Sequence, residues 1–426
     1  MKLLLGVLCP ILVWGQSYQE VISHCDNSLI LKSAEQLRNA AFETYRSAEG
    51  KNLPSLDAHL SAVKLNDTPT MSLFGASYPV ATKEHVEGEL LLSYPLFTGF
   101  AISASIEKAR LNHEKAALQV ADAKRNLYLN ATRLYSAAAA ADAVIEAQNE
   151  AKKAITDSYK KAKGLYDNGF LAPSGLYAIE AKRYEIEAEL SETQNRKQQA
   201  LNQLSYLSGM NVEEARTASD PLALPSREEV LRIALSERED LLALAKALDI
   251  AQSDVDLARS RYYPNIALLA ALKRQGDSFS MNGDGYTNAD KSYAGINASW
   301  NLFSGMSDSH ALQAAEAARL AAHATLEDYR ERIVTEIDNA LLELQTLQSK
   351  LESAKMQVKA AQEYANLTRG RFDNQLSSAD ELSRAIADLA AAKAKTANLE
   401  SERFNQNAAL WLKAGLTAYE EKVLKK

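Results

Sequence analysis

Apolar and polar positions follow two periods along this chain, and the switch between them occurs twice. In residues 296–302, Ile296, Ala298, Trp300 and Leu302 fall on one side and Asn297, Ser299 and Asn301 on the other. That period predicts a strand with one greasy and one wet face. After Gly305 an Ala-rich, charge-dotted segment runs on with no Pro or Gly until Gly370, which predicts a very long helix. The same succession stands upstream. Val86, Leu90, Leu92, Tyr94 and Leu96 share one face of a predicted strand, Glu87, Glu89 and Ser93 share the other, and Leu91 is the exception. Gly99 follows, and then a second long helical stretch.

The two successions are related by one offset. Phe97 and Gly99 map onto Phe303 and Gly305 at a shift of 206. The same shift maps Gly164, Asp167, Asn168 and Leu176 onto Gly370, Asp373, Asn374 and Leu382, and Leu204 and Gly209 onto Leu410 and Gly415. One register kept across separated landmarks argues for internal duplication. Upstream, Pro54 matches Pro264 at a shift of 210, which an indel in the strand-and-loop region explains.

In chain order, a helix is expected over residues 17–50, strands over 55–65 and 85–97, and an unstructured loop over 66–84. A helix over 100–163 follows. Some sixty residues at ~1.5 Å each span roughly 95 Å, more than an ordinary globular core needs. A breaker cluster (Gly164, Asn168, Gly169, Pro173, Gly175) predicts a reversal, and the chain returns as a helix over 174–207, a long antiparallel hairpin. Residues 209–226 read as a linker. Ser226 and Glu229 form a capping box that opens one helix reaching residue 262. Strands over 265–274 and 293–302, a helix over 307–369, a tip over 371–378 and a return helix to 414 complete the second half. In its long helix, Ile337, Leu341, Leu344, Leu351, Ala354, Val358, Ala361 and Ala365 form a coiled-coil seam with one seven-residue gap. The expected division is 1–15 signal peptide, 16–208 first repeat, 209–226 linker, 227–418 second repeat and 419–426 tail.

Composition narrows the reading. A net charge of −7 argues against nucleic acid as the main partner. No run of about 18 apolar residues exists after the N-terminus, which excludes a bundle of transmembrane helices but not transmembrane strands. Lys2 followed by an apolar run over residues 3–14 reads as an export signal cleaved before Gln16. Cys9 has Leu8 before it, so lipidation is not expected. Cleavage leaves Cys25 alone, and no internal disulfide is expected.

Four strands cannot close a barrel, and open strands in lipid would leave unpaired edges, so if these strands sit in a membrane, several copies must pool them. Their wet faces (Asp57, His59, Ser61, Glu87, Glu89, Ser93, Asn297, Ser299, Asn301) would then line a lumen. Aromatic residues near the strand ends, among them Tyr94, Tyr262, Tyr293 and Trp300, suit a membrane-interface girdle. Phe97, Gly99, Phe303 and Gly305 mark the strand–helix junctions. The alternative is a soluble periplasmic coiled-coil scaffold.

Several segments carry a family resemblance. Residues 236–241, Ser-Glu-Arg-Glu-Asp-Leu, resemble the Arg-Pro-Asp-Leu stretch of the TolC family of outer-membrane efflux proteins, with Glu239 in place of Pro. Residues 258–266, Ala-Arg-Ser-Arg-Tyr-Tyr-Pro-Asn-Ile, resemble its helix-to-strand approach. Pro-Leu-Phe-Thr-Gly at 95–99 and Asn-Leu-Phe-Ser-Gly at 301–305 are similar to its strand-to-helix exit. The likeness covers residues 17–418. It implies a mainly α fold with a small β part: long antiparallel helical hairpins forming an α-barrel, plus four transmembrane strands per chain, duplicated within the chain and trimeric. It implies an exit duct for efflux or type I secretion, embedded in outer-membrane lipid with a large periplasmic extension. It also implies a periplasmic adaptor and an inner-membrane pump of RND, ABC or MFS type as partners. The adaptor would meet the tips at Gly164, Asp167, Asn168, Gly169, Gly370, Asp373 and Asn374. The family's acidic ring at the periplasmic aperture falls on Glu381 and Arg384, with Asp380 beside them. Arg384 departs from the acidic pattern, so the expectation is one tier from Glu381, paired with Arg384 of the same or a neighbouring chain. Asp380 also suits a helix cap.

Catalytic chemistry finds no footing. The six His, at positions 24, 59, 85, 113, 310 and 323, lack an i, i+4 His or Cys partner for a metal. His85, Glu87 and Glu89 read as a lumen wall before a cation site. Residues 282–286, Asn-Gly-Asp-Gly-Tyr, lack the closing Glu of a calcium loop. There is no Walker loop, nucleophile elbow or Rossmann fingerprint. No enzyme activity, metal or cofactor is expected.

Overall fold

A computed structural model describes residues 17–80, 82–215, 224–283 and 289–425. The expected signal segment over 1–15 lies outside the described residues, as do residues 216–223 of the linker and residues 284–286 of the 282–286 loop. The elements in order are α1 (Tyr18–His24), α2 (Leu29–Gly50), β1 (Ser55–Lys64), β2 (Thr70–Leu73), β3 (Ala76–Pro79) and β4 (Glu84–Thr98). Next come α3 (Ala101–Asp167), α4 (Pro173–Ser208), α5 (Arg227–Glu237) and α6 (Glu239–Arg259). The chain continues through β5 (Asn265–Gly276), β6 (Tyr293–Ser299), α7 (Ser307–Asp373), α8 (Ala379–Ala414) and α9 (Leu416–Tyr419). It divides into two compact units, one of residues 1–35, 118–242 and 328–426, the other of 36–117 and 243–327.

The first unit is helical. Ile155, Ile179, Ile186, Phe372, Leu382 and Ile386 make one buried cluster from α3, α4, α7 and α8. Along α7, Ile337, Leu344, Leu351, Ala354 and Ala365 of the seam are buried, and buried Leu347 fills the gap left in it. A second core gathers around Tyr18. Its hydroxyl lies 2.7 Å from Thr132 Oγ1 and 2.5 Å from Tyr419 Oη, and its ring packs edge-on against Tyr135 and Phe404. These contacts tie the N-terminal helix to α3, α8 and α9.

The second unit holds the sheet, ordered β1-β4-β5-β6 and antiparallel throughout. The duplication is visible in its register. Ser55 pairs with Ser93 and Leu56 with Leu92, and their images pair likewise, Asn265 with Ser299 and Ile266 with Ala298. The offsets 210 and 206 thus reproduce the pairing residue for residue.

Several expected boundaries move. The helix expected over 17–50 is broken by a 3-10 turn at Cys25–Asn27. Asp26 there accepts from Tyr128 Oη at 2.7 Å, and Ser28 Oγ caps Leu31 N–H at 3.3 Å. The loop expected over 66–84 contains the β2–β3 hairpin, turned by Phe74 and Gly75 at positive φ. The helix expected to run from the capping box to residue 262 stops at Arg238, whose backbone is extended. Ser226 does cap α5, accepting from Glu229 N–H at 3.2 Å. Both long helices pass through Gly164 and Gly370 for about one further turn before capping. β6 ends at Ser299, so Trp300 and Leu302 stand outside it.

Candidate conduit wall, tips and aperture

The sheet has two unlike faces, fixed by its register. Leu56, Leu60, Leu90, Leu92, Leu268 and Leu272 share one face, and all are exposed. The other face carries His59 opposite Glu89, Ser61 opposite Glu87, and Glu89 opposite Lys273. Along β4 this polar face is the less exposed of the two from Glu87 onward. A sheet in water shows the reverse. Glu87 bonds Lys273 Nζ at 2.6 Å and lies 3.4 Å from His85 Nε2. Glu87 is thereby paired on this wall, and no cluster able to hold a metal occurs among the described residues. Leu91 and Leu269 interrupt it as apolar positions.

The expected girdle residues take different places. Tyr94 sits on the apolar face. Tyr293 opens β6 opposite Ala271, on the polar face. Trp300 donates its indole N–H to the Tyr262 carbonyl at 3.1 Å.

The two strand–helix junctions share one backbone geometry. Gly99 and Phe100 have φ of 60° and 70°, and Gly305 and Met306 have 62° and 68°. Their surroundings differ. At Gly99 a Cβ would meet the Ser260 carbonyl at 2.5 Å and Tyr263 Cβ at 2.7 Å, so only glycine fits. At Gly305 the same atom would meet nothing within 4 Å. Phe97, Phe100 and Tyr263 stack edge to face at 5.3 to 6.5 Å, whereas Phe303 is exposed.

The tips are also copies. Phe170 N–H bonds the Leu165 carbonyl and Leu376 N–H the Arg371 carbonyl, both at 2.8 Å. Gly169 N–H reaches Tyr166 O at 2.9 Å, and Gln375 N–H reaches Phe372 O at 3.0 Å. Each is a Schellman cap. Asn168 and Asn374 donate side-chain N–H groups to Gly164 O and Gly370 O at 2.7 and 2.8 Å. Asp373 bonds Lys161 across the tips at 2.7 Å. Phe170 and Leu376 project into solvent.

The aperture residues separate into two pairs. Arg384 bonds Asp380 at 2.7 Å, one turn away on α8, so within the chain it does not pair with Glu381. Glu381 accepts from Ser377 Oγ at 2.6 Å and lies 3.8 Å from Arg371 Nη1. The Ser377 hydroxyl first, then Arg371, holds its carboxyl below the usual glutamate range. Asp380 is not the helix cap. Ser378 is, accepting from Glu381 N–H at 3.0 Å.

The helical unit also holds a buried ionic hub that no sequence pattern marks as a site. Asp240 accepts from Arg238 Nε at 2.9 Å, Tyr329 Oη at 2.6 Å, Arg125 Nη2 at 2.9 Å and Leu241 N–H at 2.8 Å. Arg238 also bonds Glu336 at 2.8 Å. Both guanidinium groups are buried, with side-chain exposures of 5% and 6%. Glu239, also buried, accepts from Leu416 N–H through one oxygen at 2.8 Å. Its other oxygen makes no hydrogen bond and lies 3.6 Å from Arg125 Nε. Its trace in the sequence is the Arg-x-Asp-Leu stretch.

No curated relative matches the chain. Solved structures do. VceC from Vibrio cholerae is 21% identical with a TM-score of 0.78, covering 93% of this chain and 95% of that one. The Campylobacter jejuni CmeC channel is 15% identical at 0.80, covering 93% and 84%. The open state of the Neisseria gonorrhoeae MtrE channel is 18% identical at 0.74, covering 93% and 88%. These likenesses establish the TolC-like, internally duplicated fold. The family model described as outer membrane efflux protein matches residues 24–210 and 230–415. With nearly the whole chain so matched in two successive blocks, the protein belongs to the outer membrane efflux protein family.

Proposed function

We propose that this chain is the exit duct of a tripartite efflux or type I secretion system. Several copies, three in this reading, pool their strands into one outer-membrane barrel, and the helical hairpins continue the tube into the periplasm. The observation that carries the reading is the inverted sheet, with six leucines exposed on one face and charged residues on the other. Burying a large side chain such as these in lipid stabilises by roughly 1.5–3 kcal/mol, and water offers no such gain.

The matched blocks support a division into two repeats, 16–208 and 227–418, joined by a linker, 209–226. The tips at 164–169 and 370–374 are the surface we assign to the periplasmic adaptor, with Phe170 and Leu376 as apolar knobs. Glu381 is the residue we assign to the periplasmic aperture. Cargo moves passively, and the inner-membrane pump supplies the energy.

Two measurements test this. Membranes holding the protein should release it only into detergent, and the purified protein should give discrete conductance steps in a planar bilayer. Release into plain buffer would sink the duct in favour of a soluble scaffold. Deleting the gene should also raise sensitivity to the cargo of its partner pump, and unchanged sensitivity to every pump substrate would remove the efflux role.

A further inference from the structure

The helical unit holds a cavity of about 670 Å³ between α3, α7 and α8. Its origin lies in the sequence. The α7 seam that carries Leu344 and Leu351 passes to Ala354, Ala361 and Ala365 as it nears the tip. The facing positions are small as well, with Ala147, Ala151 and Ala154 lining the cavity from α3 and Ala390 from α8. Alanine knobs cannot fill the volume that leucine knobs fill, and close packing is lost there. Ala365, Leu382 and Ile386 are buried at the floor.

Two ion pairs bridge the walls. Glu150 of α3 binds Lys393 of α8, and Lys161 of α3 binds Asp373 of α7 at 2.7 Å. Along α3 the two pairs stand roughly 17 Å apart. The space between them is thus preformed and bridged at both ends, which suits a compact molecule. A partner helix laid along it would have to break both pairs.

The charges around the rim do not balance. Lys153, Lys160, Lys161, Arg369 and Lys393 line the cavity, against Glu150, Asp157 and Asp373. All three acids are engaged: Glu150 by Lys393, Asp373 by Lys161, and Asp157 by Lys160 at 3.7 Å. Lys153 and Arg369, both exposed, have no acidic partner among the described residues. Two positive charges are therefore left over above an apolar floor.

We propose that this cavity binds an amphipathic anion, a compact apolar body carrying a carboxylate or sulfonate. The body rests on Ala365, Leu382 and Ile386, and the oxyanion meets Arg369. Arg369 stands one turn of α7 from the Lys161–Asp373 pair, and its planar fork can donate to two oxygens at once. Lys153 adds its charge from the α3 wall. The volume is that of a small-molecule site, and the mixture of apolar floor and few polar groups is the usual lining of one. All of these residues belong to the helical unit, so the inference does not depend on the duct reading.

Equilibrium dialysis tests it. The full-length protein in lipid nanodiscs is dialysed against naphthalene-2-sulfonate, an aromatic anion that forms no micelles, with empty nanodiscs as the blank. The expected result is saturable binding of one molecule per chain. Arg369→Gln, at an exposed position, should weaken it roughly tenfold or more. Ala365→Leu, which fills the floor, should abolish it. If circular dichroism shows that variant unfolded, Ala154→Leu fills the cavity from the opposite wall. The neutral analogue, 2-naphthalenemethanol, should also bind at least roughly tenfold more weakly, and equal binding overturns the anionic class. Binding that survives Arg369→Gln and the filled cavity unchanged lies elsewhere and overturns the site. Absence of saturable binding overturns the inference, and is the outcome expected where a second copy or a partner helix covers the cavity instead.

Discussion

Gln375 holds, at a φ of 61°, the backbone position that Gly169 holds at 77° one repeat earlier. Both residues donate the inner hydrogen bond of a Schellman cap. A residue with a Cβ loses roughly 1–2 kcal/mol in this region, and glycine gives part of that back through its freer unfolded chain. Gln375→Gly should therefore stabilise the second tip by roughly 0.5–1 kcal/mol, and Gly169→Ala should weaken the first by about 1 kcal/mol. Hydrogen exchange at the Leu376 and Phe170 amides checks both, slowing in the first case and quickening in the second.

Asp240 neutralises two buried guanidinium groups at once. Burial pushes its carboxyl up, but the Tyr329 hydroxyl, Arg238 and Arg125 together hold it below the usual aspartate range. Asp240→Ala leaves Arg125 and Arg238 short of a buried partner, a loss of roughly 3–5 kcal/mol. Tyr329→Phe should lose only about 1 kcal/mol. A carboxyl held below its unfolded value, about 3.9, contributes stability that is full above that value and vanishes as pH falls through the folded one. Denaturation curves of Asp240→Asn should consequently lose the steep acid limb below about pH 4.

Glu239 is displaced the opposite way. Burial raises its carboxyl, and its own amide, Leu416 N–H and Arg125 offset only part of that. Its folded form then binds a proton before its unfolded form does. Stability should rise as pH falls from neutrality toward about 4.3, the ordinary glutamate value. Glu239→Gln keeps an acceptor for Leu416 N–H and removes the proton, so its stability should stay flat over that window in a pH-resolved melt.

Glu381, which we assign to the periplasmic aperture, carries a prediction of its own. Ser377 and Arg371 hold its carboxyl below the usual glutamate range, so its charge should persist from neutrality into mild acid. Glu381→Ala should raise single-channel conductance in a planar bilayer. An unchanged value would end its assignment to the aperture.

Local pattern told most of the fold. Alternation placed β1, β4, β5 and the start of β6, and uninterrupted Ala-rich sequence placed α3 and α7, because these signals live in neighbouring residues. What local pattern missed depends on distant partners. The break at Arg238 is one case. Where the family pattern has a helix-stopping Pro, this chain has Glu239, and the helix ends there with Arg238 buried against Glu336 and Asp240. The break before α2 similarly needs Tyr128, 102 residues from Asp26. The β2–β3 hairpin turns on Phe74 and Gly75, a weaker signal than Asn-Gly. At the aperture, position alone marked Glu381. It could not show that Arg384 binds Asp380, since both partners lie within reach of one helical turn.

The exposed leucines of the sheet also bear on how the protein is made. A sheet with an open apolar face and two bare edges has no stable resting state in water. In the duct we propose, its strands complete their bonding only when lipid covers the face and another chain covers each edge. Folding of this region, insertion and association would then be one event, with the strands kept unpaired on the route to the membrane. In refolding from urea, recovery should depend on both vesicle content and chain concentration, while the Tyr18–Tyr419 core of the helical unit forms without either.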